Sequence, residues 1–274
     1  MGKIIAVVNQ KGGVGKTTTA INLAAGIALN GLDVLMVDCD PQTNASGGLG
    51  IARNADRMSI YNVLLGETTA EAATIPTSVE RLSIIPSTKD LIGANFDLAQ
   101  QENREFQLKA ALDPIREKYS FIILDCPPAL DLLTLNALVS ADSLLVPMQA
   151  EYFALEGISE LTGTLDRVAA AFQPDLALEG VVLTMFDPRT SLSQQVMENI
   201  RGFFDDKLFK TSIPRNVRVA EAPSHGLPVI LYDPKSRGAE AYLDLARELL
   251  ARNGIFVSSG NPAGTVIHEA DTEE

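Results

Sequence analysis

An α/β architecture, a single doubly wound domain with a mostly parallel β-sheet flanked by helices, follows from three features of the sequence. Short runs rich in β-branched residues alternate with longer stretches of helical period along the chain. Several of the short runs are apolar without alternation, the pattern of strands covered on both faces. The first of them leads through a glycine-rich loop straight into a helical stretch.

Residues 4–8 (IIAVV) form a continuous, mostly β-branched run and read as a buried strand. Residues 17–30 follow as a helix, with Ala20, Leu23, Ala24, Ile27 and Ala28 on one face. Residues 33–37 are the next strand. Helical period returns near 59–66, 88–100 and 104–118, with a strand at 82–85 between the first two. Residues 121–124 (FIIL) are an uninterrupted apolar strand. A helix near 132–140, a strand at 143–146, a helix near 154–172, a strand at 180–183 and a helix near 191–204 continue the alternation. A last strand is expected at 228–231 and a last helix at 237–252. No Pro/Gly-rich linker and no internal repeat divides residues 1–252, so one domain is expected there. Residues 253–274 hold Ser, Gly, Pro and acids with little periodicity, and read as a flexible acidic tail.

Composition narrows the class. The chain has 274 residues, 46% hydrophobic and 21% charged, which excludes a disordered chain, a collagen-like fibre and a membrane bundle. At roughly 300 residues a chain buries about three quarters of its unfolded surface, so the core needs no staples. Two cysteines do not make a disulfide framework and suggest a reducing compartment. No run approaches the roughly 20 apolar residues of a membrane span, and the N-terminus lacks the parts of a signal peptide, so a cytoplasmic protein is expected. The net charge of −13 argues against nucleic acid as a partner of the whole surface. A local patch can still hide in it. The window from Lys207 to Arg218 holds Lys207, Lys210, Arg215 and Arg218 and no acid. On composition alone it is equally a solvated basic face.

The strongest chemical signal is Lys11-Gly12-Gly13-Val14-Gly15-Lys16-Thr17-Thr18, set between the first strand and the first helix. Glycines there let backbone N–H groups turn inward to phosphate oxygens. The helix start adds its positive dipole end. Lys16 can reach the β- and γ-phosphates, and the Thr17 hydroxyl can bind Mg²⁺. The loop departs from G-x-x-x-x-G-K-[ST], because Gln10 takes the place of the first glycine and Lys11 adds a second lysine. A dinucleotide fingerprint fails, because Thr18 stands at its last glycine.

Carboxylates cluster at strand ends. The second strand runs into Asp38-Cys39-Asp40-Pro41-Gln42, and alternation puts Asp38 and Asp40 on one side. In an open α/β sheet that end faces the ligand crevice. One carboxylate can support Mg²⁺ through water and the other can place the attacking water. Phe121-Ile122-Ile123-Leu124-Asp125 is four apolar residues and an acid, a Walker B arrangement, with Asp125 expected to hold a water ligand of Mg²⁺. Cys39 and Cys126 neighbour these acids but stand singly, without metal-ligand spacing, and read as core residues.

Taken together, NQKGGVGKTTTAINLA, VDCDPQTNASGGLG, FIILDCPPALDLLTLNAL, EYFALEG, SIPRNVRVAEAPSHG and LYDPKSRGAEAYLDLA resemble a ParA/Soj-type chromosome or plasmid partition ATPase of the deviant Walker A class. The likeness spans Gly2 to about Arg252. It implies a P-loop ATPase using ATP and Mg²⁺, an ATP-sandwich homodimer, and non-specific binding of double-stranded DNA by that dimer. It also implies a ParB-type centromere-binding partner that stimulates hydrolysis and release, and a nucleoid-associated location. Residue by residue, Lys11 to Thr18 hold phosphates, and Lys11 matches the lysine that reaches across the dimer. Thr17 binds Mg²⁺, Asp40 matches the aspartate needed for hydrolysis, and Asp125 is the Walker B acid. Pro214 and Asn216 match the segment beside the adenine. Arg189 and Arg218 match arginines linked to DNA binding, with Lys210 and Arg215 in the same basic window. Two positions depart from the pattern: Thr43 replaces a usual glycine and Ala150 a usual cysteine. Glycine would tolerate φ > 0 after Asp40 and threonine is not expected to.

Three rivals share the loop. A MinD-like ATPase acting on a protein or membrane partner needs a basic amphipathic C-terminal helix, whereas this chain ends HEADTEE, which anionic lipid repels, so no membrane partner is expected. An iron–sulfur electron-transfer protein needs an interface cysteine pair placed elsewhere. A metabolic ligase or amidotransferase does not account for the IPRN and EAPSHG segments.

Overall fold

The computed structural model describes residues 2–52, 54, 56–151, 154–257 and 266–268. The chain opens with β1 (Lys3–Val7), α1 (Lys16–Leu29), β2 (Val34–Asp38) and the short helices α2 (Asn44–Gly48), α3 (Ile60–Leu64) and α4 (Ala70–Ala73). It continues through β3 (Ile75–Pro76), β4 (Leu82–Ile85), α5 (Ala94–Leu98), α6 (Gln107–Leu112), β5 (Phe121–Asp125), α7 (Leu132–Ser140) and β6 (Ser143–Gln149). Then come α8 (Ala154–Ala171), β7 (Ala177–Thr184), α9 (Ser191–Phe204), α10 (Val217–Glu221), α11 (Val229–Tyr232), α12 (Arg237–Arg252), β8 (Ile255–Val257) and β9 (Val266–His268).

One sheet has the order β3-β4-β2-β5-β1-β6-β7, parallel except for the antiparallel edge strand β3. Strand order reverses direction about β1, so the crevice beyond the carboxyl ends of β1 and its neighbours is a topological switch point. Side-chain alternation splits the core into two layers. Ile4, Ala6, Leu35, Val37, Ile122 and Leu124 point to one face, under α3, α5, α6 and α7. Ile5, Val7, Val34, Met36 and Ile123 point to the other, under α1, α11 and α12. Both faces are buried, which is why these strands show apolar runs without alternation.

Residues 228–231, expected as a strand, are instead the short helix α11, capped at Pro228. A run of four apolar residues does not separate a strand from one buried helical turn. Here Asn22 of α1 accepts the Val229 N–H at 2.8 Å, which holds the turn against the helical layer. The helix expected over 88–100 is a 3₁₀ turn, Lys89–Gly93, followed by α5. The helix expected over 104–118 is α6 followed by a 3₁₀ turn, Asp113–Lys118, that contains Pro114. Within the segment read as a tail, β8 and β9 pair antiparallel. Residues 258–265 and 269–274 of that segment lie outside the described residues.

Candidate nucleotide site

The loop between β1 and α1 is shaped by its glycines. Gly13 and Gly15 have φ of 73° and 88°, left-handed values that a β-carbon disfavours. A β-carbon at Gly12 or Gly13 would meet nothing within 4 Å, so the loop borders open space. Among the described residues, the backbone N–H groups from Gly12 to Thr18 have no acceptor within the chain. Helix α1 begins with no side-chain cap and no acid in its first turn. The result is a run of unpaired donors at a positive helix end, a ready anion cradle. Neighbours hold the loop from outside. Asn9 accepts from the Lys11 N–H and donates to the Pro147 carbonyl, both at 2.9 Å. The Thr184 hydroxyl, at the end of β7, donates to the Val14 carbonyl at 2.7 Å, and Gln149 donates to the Gly13 carbonyl at 3.4 Å. Sequence reasoning missed all three: strand register brings Gln149 and Thr184 to the loop, and Asn9, two residues before Lys11, was within reach of a local reading.

The two lysines differ. Lys16 is 7% exposed, and its ammonium donates to the Lys11 carbonyl at 3.0 Å. Burial lowers its pKa, while Asp125 and Asp40 pull it back up. Lys11 is half exposed and pairs with the equally exposed Glu151 at 2.5 Å.

Asp38 and Asp125 lie side by side, partners in the register of β2 and β5, and both are fully buried. Asp38 is engaged by its own chain. One oxygen accepts from the Ser46 N–H at 2.8 Å and the Ser46 hydroxyl at 2.6 Å, and the other from the Asp40 N–H at 3.2 Å. Burial pushes its carboxyl up to about 6 against the pull of these donors. Neither oxygen of Asp125 has a hydrogen-bond partner among the described residues. Burial, and then the adjacent Asp38, hold its carboxyl well above the usual range, with Thr17 and Lys16 pulling the other way. A buried acceptor pair without a donor, beside a threonine hydroxyl and an anion cradle, fits a hydrated divalent cation. Asp40 is 7% exposed and accepts from the Gln42 N–H at 2.8 Å. Thr43, contrary to the expectation for a β-branched residue, does take the left-handed conformation, with φ 58°.

At the far edge the chain after α9 runs beside β7. The Phe209 N–H donates to Val181 and the Ile213 N–H to Leu183, both at 2.8 Å, and Pro214 bridges Phe186. Pro214 and Asn216 therefore sit just past the carboxyl end of β7, where Asn216 caps α10. The basic window runs along the edge of β7 and past its carboxyl end. Arg189 follows the carboxyl end of β7, and Arg215 and Arg218 follow Pro214, which bridges Phe186 there, whereas Lys210 lies back along the strand with its N–H on Glu248. Arg189 pairs with Asp187, and Arg218 pairs with both Glu221 and Asp233. Cys39 and Cys126 are both buried, as their reading as core residues expects. Among the described residues no helix is long and apolar enough to cross a membrane.

A family model described as an AAA domain matches residues 2–178. The chromosome partitioning protein ParA of Myxococcus xanthus is 52% identical over 253 residues, covering 92% of this chain and 89% of the relative. The sporulation initiation inhibitor protein Soj of Bacillus subtilis is 53% identical over 251 residues, covering 92% and 99%. Among solved structures, the cobyrinic acid a,c-diamide synthase of Mycobacterium smegmatis, with a bound ATP analog and magnesium, superposes with a TM-score of 0.82. It is 34% identical, and the match covers 97% of this chain and 99% of that one. The fold is thus common to proteins of different names, but half of all positions agree with the partition proteins and only a third with the synthase. This chain, an ATPase with the loop and strand-end acids described above, belongs to the ParA/Soj family of chromosome-partitioning proteins.

Proposed function

We propose that the chain is an ATP-gated DNA-segregation switch, with residues 1–252 as the ATPase domain. The observation that carries this reading is the run of unpaired N–H groups from Gly12 to Thr18, set beside Lys16 and the orphaned Asp125. These N–H groups and Lys16 bind the phosphates of ATP. Thr17 and Asp125 hold Mg²⁺, which when bound neutralises charge developing on the phosphates. Asp38 is a more remote support, since both its oxygens already serve the loop that follows it. Asp40 orients the attacking water. Pro214 and Asn216 flank the adenine.

In this reading ATP joins two subunits face to face, and Lys11 leaves Glu151 to reach the partner's phosphates. An exposed pair of that kind is weak enough to exchange. The dimer brings two copies of Arg189, Arg215 and Arg218 onto one surface, with Lys210 further down the same edge. Two weak phosphate-binding faces gain avidity without new contacts. A ParB-type partner stimulates hydrolysis, and loss of the γ-phosphate removes the contacts that favoured the dimer, so DNA is released. The protein works in the cytoplasm, on the nucleoid.

The test is binding to a random-sequence duplex with ATP, with ADP and without nucleotide, at two salt concentrations. Binding is expected with ATP alone, falling steeply with salt. Equal binding in all three states, or none in any, would overturn the switch and leave a family ATPase without a DNA partner.

A further inference from the structure

We propose that Ser46, backed by the Ser87 backbone N–H, is a positioning residue for Asp40: it anchors Asp38, and through Asp38 it fixes the turn that carries Asp40. The inference rests on the reading of Asp40 given above.

Asp38 ends β2 and clasps the following loop at two points. It accepts from Asp40 at the near end and from Ser46, eight residues on, at the far end. The Ser46 hydroxyl has one proton to give. Its oxygen accepts from the Ser87 N–H at 3.1 Å, and an amide can only donate. The proton must therefore point at Asp38, where the distance is 2.6 Å. Ser46 and Ser87 are 4% and 7% exposed, so both bonds are largely shielded from bulk solvent. The relay thus ties the exit of β4 to the end of β2.

Between the two clasped points the turn is tight. The Asp40 carbonyl accepts from the Thr43 N–H at 2.9 Å, and Thr43 is left-handed. Such a conformation persists only where its surroundings over-determine it. Packing alone does not supply that here, because Thr43, Ser46 and Ser87 line a cavity of about 420 Å³ into which the turn could relax. Cutting the anchor frees the turn to move, and with it the carboxylate of Asp40. Phosphoryl transfer depends on placement, and a displacement of about 1 Å can cost on the order of a hundredfold in rate.

The full chain with Mg·ATP is assayed for phosphate release, affinity for a fluorescent ATP analogue and thermal melting. In Ser46→Ala, kcat is expected to fall about tenfold or more, with KM and analogue affinity within about threefold of the parent. Ser46→Thr, which keeps the hydroxyl, restores most of the turnover. Ser46→Cys, close in size but a weak donor, loses turnover in the same direction and serves if the alanine variant does not fold. In an Asp40→Ala background, Ser46→Ala causes no further loss, because both act through one group. Parental turnover in Ser46→Ala beside a strongly impaired Asp40→Ala removes the role of Ser46 alone. Parental turnover in Asp40→Ala removes the catalytic reading beneath it. A parallel fall in kcat, affinity and melting temperature means Ser46 is only structural, and so does an additive loss in the double variant.

Discussion

Thr43 carries strain that a neighbouring residue type would not. Its φ of 58° places a β-branched residue where the β-carbon crowds the following carbonyl. Ala and Gly both remove the hydroxyl and methyl of Thr43, one of the residues that line the cavity. They differ mainly in whether a β-carbon remains. The left-handed penalty of about 1–2 kcal/mol outweighs the roughly 0.5–1 kcal/mol that glycine loses through its freer unfolded chain. Thr43→Gly is therefore expected to be more stable than Thr43→Ala, by up to about 1.5 kcal/mol. Urea unfolding midpoints at equal slope measure it, and an alanine variant as stable as the glycine variant would mean the turn is not left-handed in solution. The residues legible in advance were those whose spacing carries the chemistry: the loop from Lys11 to Thr18, Asp38, Asp40 and Asp125. Thr184, Gln149 and Ser46 were not legible. Thr184 reaches Val14 across 170 residues of sequence, through register alone.

Elements meet at the amino-terminal edge of the sheet through one buried acid. Glu179 of β7 accepts from Lys3 of β1 at 2.5 Å, Ser143 of β6 at 2.7 Å and Asn253 after α12 at 2.7 Å. Burial pushes its carboxyl up, but the three donors together pull it below its ordinary value. A group depressed in the folded state stabilises fully above its unfolded value, about 4.3, and loses that contribution as pH falls through the folded value. Glu179→Gln is expected to cost about 1–3 kcal/mol at pH 7, with the gap to the parent closing below about pH 4. Urea titrations at both pH values decide it, and a gap independent of pH would assign the loss to packing. No sequence pattern announces such a network, since its members sit on four elements. The strands at 4–8, 33–37 and 121–124 were legible because burial on both faces writes itself as an apolar run. Residues 228–231 have the same look and form a helix, because the acceptor that fixes them, Asn22, lies 207 residues away.

Across the whole molecule, charge sets the terms on which DNA can be met. A chain of net charge −13 is repelled by a polyanion, so the proposed contact must be local and must gain from pairing subunits. Arg189, Arg215 and Arg218 are exposed cations just past the carboxyl end of β7, and Arg189 and Arg218 are each held by acids of their own chain. Those exposed pairs orient the side chains without fixing them, and phosphate competes for the same guanidinium groups. Each arginine occurs twice in a dimer. Neutralising one phosphate contributes about −0.9 to the slope of log K against log salt, so losing two contacts flattens the slope by roughly two. Arg218→Ala and Arg189→Ala are each expected to show that flattening with ATP bound, and to weaken binding evenly across unrelated sequences, as phosphate contacts do. Lys210→Ala is expected to change the slope by less than about one, because Lys210 lies back along β7. Dimer formation, followed by light scattering, should survive all three substitutions. If affinity falls with an unchanged slope, the arginines shape the surface without touching phosphate, and the contact lies elsewhere on the dimer. If Lys210 alone flattens the slope, the DNA runs along the sheet edge instead of across the carboxyl ends of its strands.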